Sequence, residues 1–482
     1  MPVDQLIWVP SSCEMTTDSR RRVPPLLVAT TVALSSCSST HHRASPPAPA
    51  TSPTSAASAS QATTAPTNPG IEGSWTTYDG DASRTARDLT SPPLGAPRVA
   101  WTSPTLDGPV YAQPLVVGSS VIVATENDTV YSLNPATGAV NWSRHLGSPV
   151  RASALPCGNI DPSGITGTPV ADPAARTLWV VTFTTPTAHT LWQVNLDNGQ
   201  VRGSRPADPP GADPRTEQQR GALTLSAGRI YIPYGGLYGD CSDYHGWLVA
   251  LKANPSDGGA RATYETPAER AGIWAPPGPV IDSAGDVLVA TGNGLLANVP
   301  GDANSVVRLD PSLRVVARFT APDYQHLSET DGDLGSVSPT IVAGGNVLQV
   351  GKEAVGYLLP ANLSSPLQTF HACNGAFGGT AVDGDNVYLS CYDGLYALGI
   401  PTSGKATVRW AVTGIRPGPP IIAGGTVWTV DRGGALRGYS ENDGTKRYSD
   451  PVAVAGSFPT LSASGGSLFV TDGTRIIAFS GV

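Results

Sequence analysis

Side chains that could take part in chemistry gather in five glycine-containing segments in the middle of the 482-residue sequence. The segments are Gly239-Asp240-Cys241-Ser242-Asp243-Tyr244-His245-Gly246, Gly272-Ile273-Trp274, Thr291-Gly292-Asn293-Gly294, Glu329-Thr330-Asp331-Gly332-Asp333 and Gly351-Lys352-Glu353. Carboxylate and amide oxygens are the ligands that hard divalent cations prefer, and a positioned carboxylate can take a proton from a substrate. Lys352 is one of only four lysines, so this basic group is unusual in the chain. These segments are therefore the first candidates for a functional site.

The composition argues against several classes of function. The formal net charge is −8, only 14% of residues are charged, and no run of lysine and arginine is interleaved with aromatic residues. Nucleic-acid binding is therefore not expected. No Gly-x-Ser-x-Gly phrase occurs in a strand–turn–helix context, so a hydrolytic serine triad is not expected either. The 54 glycines and 45 prolines suit many short strands joined by tight turns better than long helices.

A repeat supplies the elements that must position these segments. One pattern, a small residue or proline followed by a short apolar strand, a turn and two further strands, recurs eight times. The opening phrases are Gln113-Pro114-Leu115, Thr168-Pro169-Val170, Gly221-Ala222-Leu223, Gly278-Pro279-Val280, Ser338-Pro339-Thr340, Gly379-Thr380-Ala381, Pro419-Pro420-Ile421 and Phe458-Pro459-Thr460. The last three intervals are 41, 40 and 39 residues, which is the period of a four-stranded propeller blade. The earlier intervals are longer and contain the five polar segments, so we expect these to converge over a central channel.

The chain ends predict how the ring closes. The last unit, residues 458–479, contains three strands and no fourth, while residues 98–101 resemble the fourth strand of a unit. Pairing the two would shield the sheet edges that otherwise invite aggregation. The sequence therefore predicts an all-β, eight-bladed propeller of four-stranded antiparallel blades, closed by an N-terminal strand. Seven blades remain an alternative if the atypical unit around Ala222 is misassigned, whereas stacked β-sandwiches would not explain the missing strand.

The N-terminal region is typical of an export signal. Three arginines, Arg20 to Arg22, precede a short apolar stretch at residues 23–34, which is too short to span a bilayer. Leu34-Ser35-Ser36-Cys37 follows and resembles the lipobox of bacterial lipoproteins, in which the cysteine is lipidated. An ordinary signal peptide that happens to contain a cysteine is the alternative, and Met15 is a candidate for the true start.

The predicted organisation is then a lipoprotein signal at residues 1–37, a disordered Ser/Thr/Ala/Pro tether at 38–74, and the propeller at 75–482. Lipidation of Cys37 would hold the propeller at the outer face of the cell membrane. Four further cysteines fit that oxidising location. Cys373 and Cys391 lie in one repeat and are expected to pair, which leaves Cys157 with Cys241, although the sequence alone allows three connectivities.

Two repeats carry a resemblance to a known superfamily. Asp393-Gly394-Leu395-Tyr396-Ala397-Leu398, running on to Trp410, resembles the repeat of the pyrroloquinoline quinone (PQQ) propellers, as does Asn127-Asp128-Thr129-Val130-Tyr131-Ser132-Leu133, continuing to Trp142. The resemblance covers nearly all of residues 98–482. That superfamily contains quinoprotein alcohol dehydrogenases and also propellers without a cofactor, including an outer-membrane assembly lipoprotein, so the fold alone does not settle the function.

The resemblance also implies roles for the polar segments. Asn293 resembles the asparagine that helps to bind calcium beside PQQ, with Asp331 as a further candidate ligand. Trp274 resembles the tryptophan that stacks on the quinone. Asp331 or Asp333 resembles the catalytic base, and Lys352 resembles the basic residue that hydrogen-bonds the quinone oxygens. In such a site the cation would polarise the quinone while a nearby aspartate takes the alcohol proton.

The sequence departs from the dehydrogenase pattern at several points. The metal-binding glutamate has no clear counterpart, and only Asp240 or Asp243 could loosely replace it for binding the metal and cofactor. An adjacent Cys-Cys pair and a Cys-x-x-Cys-His haem motif are both missing from the sequence. Taken one at a time, these candidates also suit plain structural roles, as turn residues, packing residues or solvated charges.

Two functional hypotheses therefore follow from the sequence. The first is a membrane-tethered binding or scaffold propeller, a monomer that takes a small molecule, a glycan or an envelope protein on its long-loop face. The second is a PQQ- and Ca²⁺-dependent alcohol or sugar dehydrogenase.

Overall fold

The computed structural model describes residues 74–254, 261–295, 299–403, 405–456 and 458–481, all within one unit. They form eight sheets, each built on four antiparallel strands, and the prediction of an eight-bladed β-propeller is confirmed. The atypical unit around Ala222 is a true blade. The predicted signal, Cys37 and all of the tether except Ser74 lie outside the described residues. Within the described part, no helix is long and apolar enough to cross a membrane.

The blades follow one another along the chain and share one strand order. From the inner to the outer strand they are: blade 1, Leu115–Val117, Ser120–Ala124, Thr129–Leu133 and Val140–His145; blade 2, Val170–Asp172, Thr177–Thr184, Ala188–Asn195 and Val201–Pro206; blade 3, Thr224–Ser226, Arg229–Gly236, His245–Lys252 and Ala262–Glu269; blade 4, Val280–Ile281, Val287–Ala290, Ser305–Leu309 and Val315–Thr320; blade 5, Thr340–Ile341, Val347–Val350, Val355–Leu359 and Gln368–His371; blade 6, Ala376–Asp383, Asn386–Cys391, Gly394–Gly399 and Thr407–Thr413; blade 7, Ile421–Ala423, Thr426–Asp431, Ala435–Ser440 and Lys446–Pro451; blade 8, Leu461–Ser464, Ser467–Asp472, Arg475–Ser480 and Arg98–Thr102.

A few short elements lie outside this scheme. The strands Arg87–Asp88 and Glu217–Gln218 add to the edges of blades 7 and 3. The helix Tyr324–Thr330 and a 3₁₀ turn at Leu334–Ser336 connect blades 4 and 5, and further 3₁₀ turns lie at Ala152–Ala154 and Ala343–Gly345.

Burial follows from the position of each strand in its blade. Ser120–Ala124 and Thr129–Leu133 are almost wholly buried, whereas the outer strand Val140–His145 has exposed residues at alternate positions. The inner strands are covered on both faces because neighbouring sheets pack on each other, and apolar clusters lie between successive blades. A larger apolar cluster runs through blades 6, 7, 8, 1 and 2.

The ring closes as the sequence predicts. Arg98–Thr102 pairs antiparallel with Arg475–Ser480, with Arg98 opposite Ser480 and Thr102 opposite Ile477. Both predicted disulfides, Cys157–Cys241 and Cys373–Cys391, are present.

Three tryptophans on the outer strands of blades 8, 1 and 6 each join their blade to the following one. In each case the indole Nε1 donates to a backbone carbonyl in the next blade, and the ring covers a glycine there that has a positive φ. The pairs are Trp101 with Pro135 O (2.8 Å) and Gly138, Trp142 with Leu196 O (3.0 Å) and Gly199, and Trp410 with Glu441 O (3.0 Å) and Gly444. The turn needs glycine both for its left-handed backbone and for the space that the indole fills.

A segment that the sequence did not reveal, residues 75–88, crosses the central channel; we call it the channel segment. Its backbone oxygens accept bonds from the inner strands of five blades. The bonds are Val116 N to Trp75 O, Ala171 N to Thr76 O, Ile281 N to Ala82 O, Val382 N to Thr85 O and Ile422 N to Ala86 O, at 2.8 to 3.0 Å. Ile281 is the last residue of its strand, so the segment closes the end of the channel where the inner strands finish.

We expect Gly138→Ala to lower the free energy of unfolding by about 3 kcal/mol, because an added Cβ would lie 2.4 Å from the Trp101 ring at a φ of +70°. The matched control is Gly118→Ala, whose φ is +57° with nothing within 4 Å of the added Cβ, and which should cost only about 1 kcal/mol of backbone strain. Urea unfolding of the two variants measures the difference. Equal losses would show that contact between the indole and the glycine does not hold the blades together.

Candidate functional site

The candidate residues lie on connections at one end of the ring. Trp274 is on the connection between blades 3 and 4, and Asn293 is between the second and third strands of blade 4. Asp331 and Asp333 follow the helix between blades 4 and 5, and Lys352 is between the second and third strands of blade 5. In a ring of four-stranded meanders, the connections between blades and the connections between second and third strands occur at the same end. Here that end is opposite the channel segment.

The Lys352 ammonium bridges the two aspartates. Its Nζ lies 2.7 Å from Asp331 Oδ1 and 2.7 Å from Asp333 Oδ2. Asn293 binds the same carboxylates, donating its backbone N–H to Asp333 Oδ1 (2.7 Å) and its Nδ2 to Asp331 Oδ1 (3.0 Å). Lys352 Nζ also lies 5.7 Å from the centre of the Trp274 ring. The structure therefore brings together these five of the seven predicted site residues.

Local structure explains why these side chains meet. Asp331 ends the helix in the left-handed conformation, with a φ of 57°. The Asn304 amide holds the connection in place, since its Oδ1 accepts from Leu334 N (2.9 Å) and its Nδ2 donates to Ser328 Oγ (3.0 Å). Gly292 leaves room for the cluster, because a Cβ there would lie 2.4 Å from Asp333 Oδ1.

The cluster is charged and its charges are paired. Burial raises the pKa of Asp333 above its ordinary value, although Lys352 opposes that shift. Burial alone would lower the pKa of Lys352, but Asp333 and Asp331 together raise it. The lysine therefore stays protonated at neutral pH and supplies the positive charge that the two carboxylates need.

The two remaining candidates do not join the cluster. The carboxylate of Asp240, an exposed residue, accepts a hydrogen bond from the Tyr244 hydroxyl (2.5 Å), and Asp243 is also exposed. Among the described residues, no group of three or more histidine, cysteine or acidic side chains is placed to hold a metal ion. As arranged here, the donors do not fit Ca²⁺, because Lys352 already lies between the two carboxylates and, in the described part of the chain, no third acidic side chain completes a metal-binding group with them.

Three further residues at this end of the channel were missed by the sequence analysis. Glu126 follows the second strand of blade 1, Arg220 precedes the inner strand of blade 3, and Phe458 precedes the inner strand of blade 8. Their positions next to strand ends were the only sequence signal that could have identified them as site residues. Neither Glu126 nor Arg220 falls in one of the five polar segments. Phe458 was assigned only to the opening phrase of its repeat.

Glu126 is a buried acid with incomplete hydrogen bonding. Its Oε2 accepts from Gly164 N (2.8 Å) and Thr166 Oγ1 (3.0 Å), whereas its Oε1 has no partner among the described residues. Burial raises the pKa of Glu126 to about 7, and that of the neighbouring Asp128 to about 9. Glu126 therefore changes its charge near neutral pH.

We expect the wild-type protein to lose about 2 to 3 kcal/mol of stability relative to Glu126→Gln between pH 5 and pH 8. The folded pKa lies above the unfolded value of 4.5, so the folded state holds its proton longer and loses stability as pH rises through about 7. Asp128 stays protonated over the same range. Urea unfolding at both pH values measures the effect, with Glu329→Gln, an exposed glutamate, as the control. A stability difference between wild type and Glu126→Gln that does not change with pH would contradict the assignment.

Comparisons with known proteins agree with this architecture. The family model described as outer membrane protein assembly factor BamB matches residues 97–305. No curated protein matches the chain.

Several solved structures have the same fold. The quinohemoprotein alcohol dehydrogenase of Pseudomonas putida HK5 is 14% identical, with a TM-score of 0.66, and the match covers 85% of this chain and 80% of that one. That of Comamonas testosteroni is also 14% identical, with the same coverage and a TM-score of 0.65. BamB of Moraxella catarrhalis is 14% identical, with a TM-score of 0.55, covering 80% of this chain and 98% of that one. At these identities the likeness shows the fold alone.

Proposed function

We propose that this chain, which is a PQQ-like β-propeller, is an exported, membrane-tethered binding module that takes its ligand on the face carrying the long connections. The observation that supports this proposal is the Lys352 bridge, at 2.7 Å to each of Asp331 and Asp333. A cluster whose charges are balanced within the protein keeps its shape without a metal ion. The partly buried Trp274 ring beside it offers a flat surface to a ligand.

The classes of ligand compatible with this face are a small molecule, a glycan or a protein of the cell envelope. Aromatic side chains next to charged groups on rigid connections suit each of them. A monomer is sufficient for this role, since the five clustered residues all come from one chain.

A PQQ- and Ca²⁺-dependent dehydrogenase is the second candidate. It is favoured by the gathering of Trp274, Asn293, Asp331, Asp333 and Lys352 in one place. The occupied position between the carboxylates counts against it, and so does the finding that, among the described residues, no third histidine, cysteine or acidic side chain is grouped with them to hold a metal ion. We therefore assign no catalytic step to these residues.

Adding PQQ and Ca²⁺ to the purified protein distinguishes the two candidates. We expect calorimetry to show no Ca²⁺-dependent uptake of PQQ at micromolar concentrations, and we expect no dye-linked oxidation of a panel of alcohols and sugars. Tight uptake with oxidation that disappears in Asp333→Asn, but not in the exposed control Asp243→Asn, would establish the dehydrogenase instead.

The membrane tether has its own test, because it depends only on the N-terminal region. Cys37→Ser should move the protein from the membrane fraction to the soluble extracytoplasmic fraction, since the lipid is proposed as its only anchor. Cell fractionation followed by immunoblotting measures the shift, with Ser38→Ala as the neighbouring control. Unchanged retention of Cys37→Ser on membranes would refute the lipid anchor.

A further inference from the structure

Arg220 is a cation without a hydrogen-bond acceptor or an ion-pair partner at the open end of the channel. Its guanidinium makes no hydrogen bond and no ion pair with any residue that the structure describes, although it is partly buried there. Its Cζ lies 5.2 Å from the centre of the Phe458 ring. Burial lowers the pKa of Arg220, but an arginine stays charged in proteins at neutral pH. Its five N–H donors therefore have no acceptor from the described part of the protein, and they remain available to an acceptor on a ligand.

The nearest buried acid does not satisfy this arginine. Glu126 attracts Arg220 electrostatically, but no ion pair forms between them, and Glu126 directs its Oε2 to Gly164 N and Thr166 Oγ1 instead. Asp331 and Asp333 are held by Lys352. The acids around the channel are thus used elsewhere, and Arg220 remains available to a ligand.

Phe458 links Arg220 to two neighbouring surfaces. Its ring centre lies 6.3 Å from that of Trp274, with the two planes tilted by 48°. Phe458 also lines a small cavity that is partly open to solvent, together with Phe377, Tyr392, Arg416 and Arg432. Aromatic surface and cationic groups therefore occur side by side at this end of the ring.

The other two arginines extend the positive charge. Arg416 and Arg432 are exposed residues held next to each other by the bond from Arg432 N to Arg416 O (2.8 Å), and within the described chain neither side chain has an ion pair. Three unpaired guanidinium groups thus surround Phe458 in a protein whose formal net charge is −8. Such a local excess of positive charge attracts and orients anions.

We infer that the open end of the channel binds a small carboxylate whose ring packs on Phe458 while its carboxylate pairs with Arg220, without a metal ion. The planar fork of a guanidinium matches the two oxygens of a carboxylate, and an aromatic side chain packs on the flat face of an aromatic or a sugar ring. Arg416 and Arg432 stand at the rim and favour entry of an anion. This inference rests on the proposed binding function and names the class of its ligand.

Two pairs of probes that differ in charge test the inference on the purified full-length protein. The aromatic pair is 2-naphthoate and the neutral 2-naphthamide, and the sugar pair is glucuronate and glucose. We expect wild type to bind at least one of the two acids about tenfold more tightly than its neutral counterpart, by calorimetry in the presence of EDTA. The pair that shows the difference identifies the ring as aromatic or sugar.

The variants assign the effect to particular side chains. Arg220→Gln should remove the preference for the acid while leaving binding of the neutral probe unchanged, and Phe458→Leu should weaken both members of the pair. Arg314→Gln, an exposed arginine paired with Asp310, is the control and should change neither. Thermal unfolding checks that each variant is folded, and Arg220→Lys provides a second variant that keeps the charge and should retain part of the preference.

The inference is overturned if neither acid binds better than its neutral partner, or if folded Arg220→Gln keeps the preference. Both outcomes are independent of the proposed function, whose failure would appear as oxidation supported by PQQ and Ca²⁺.

Discussion

The ring exists because its first strand completes its last sheet. Arg98–Thr102 pairs with Arg475–Ser480, so blade 8 is made from both ends of the propeller and has four strands like the other seven blades. The channel segment adds a second set of cross-links, since it bonds to the inner strands of blades on opposite sides of the ring. Every connection at the open end depends on this closure, because only a closed ring turns them all toward one axis.

The arginines at the two ends of the channel differ in their hydrogen bonding. At the closed end, Arg84 donates to Thr77 Oγ1 and Tyr78 O (both 2.7 Å) and to Thr224 Oγ1 (2.5 Å), so it fastens the channel segment to blade 3. At the open end, Arg220 has no such acceptors in the described chain. An arginine whose guanidinium donates to several protein acceptors is a structural element, whereas one without an acceptor from the described chain is suited to a ligand. The fold thus separates a structural end from a binding end.

Local signals made the fold predictable from the sequence, and part of the site as well. The repeat period, the Thr137-Gly138 turn and the recurring tryptophans depend on short-range chemistry, so they indicate the blades directly. The resemblance to PQQ propellers located Trp274, Asn293 and Lys352, because these residues follow recognisable strands.

The remaining features depend on contacts between distant parts of the chain, which no local pattern encodes. The channel segment forms no repeat and gains its structure only by bonding to inner strands up to several hundred residues away. Arg220 and Phe458 come from blades 3 and 8 and meet only across the closed ring. The contact of Asp240 is local, yet the sequence gives no sign that the Tyr244 hydroxyl donates to its carboxylate.

The two buried acids at the open end, Asp333 and Glu126, differ in whether a cation compensates their negative charge. Asp333 remains within reach of the Lys352 ammonium, while Glu126 has no cation in contact, so burial raises its pKa to about 7. A divalent cation could approach Asp331 and Asp333 only by displacing that ammonium, which would leave a lysine partly buried and unpaired. Because Lys352 and Asn293 already orient the two carboxylates, the cluster is organised before any ligand arrives. The binding end is therefore preorganised by the chain's own charges, and Arg220 is a partly buried cation at this end that still lacks an acceptor from the described chain.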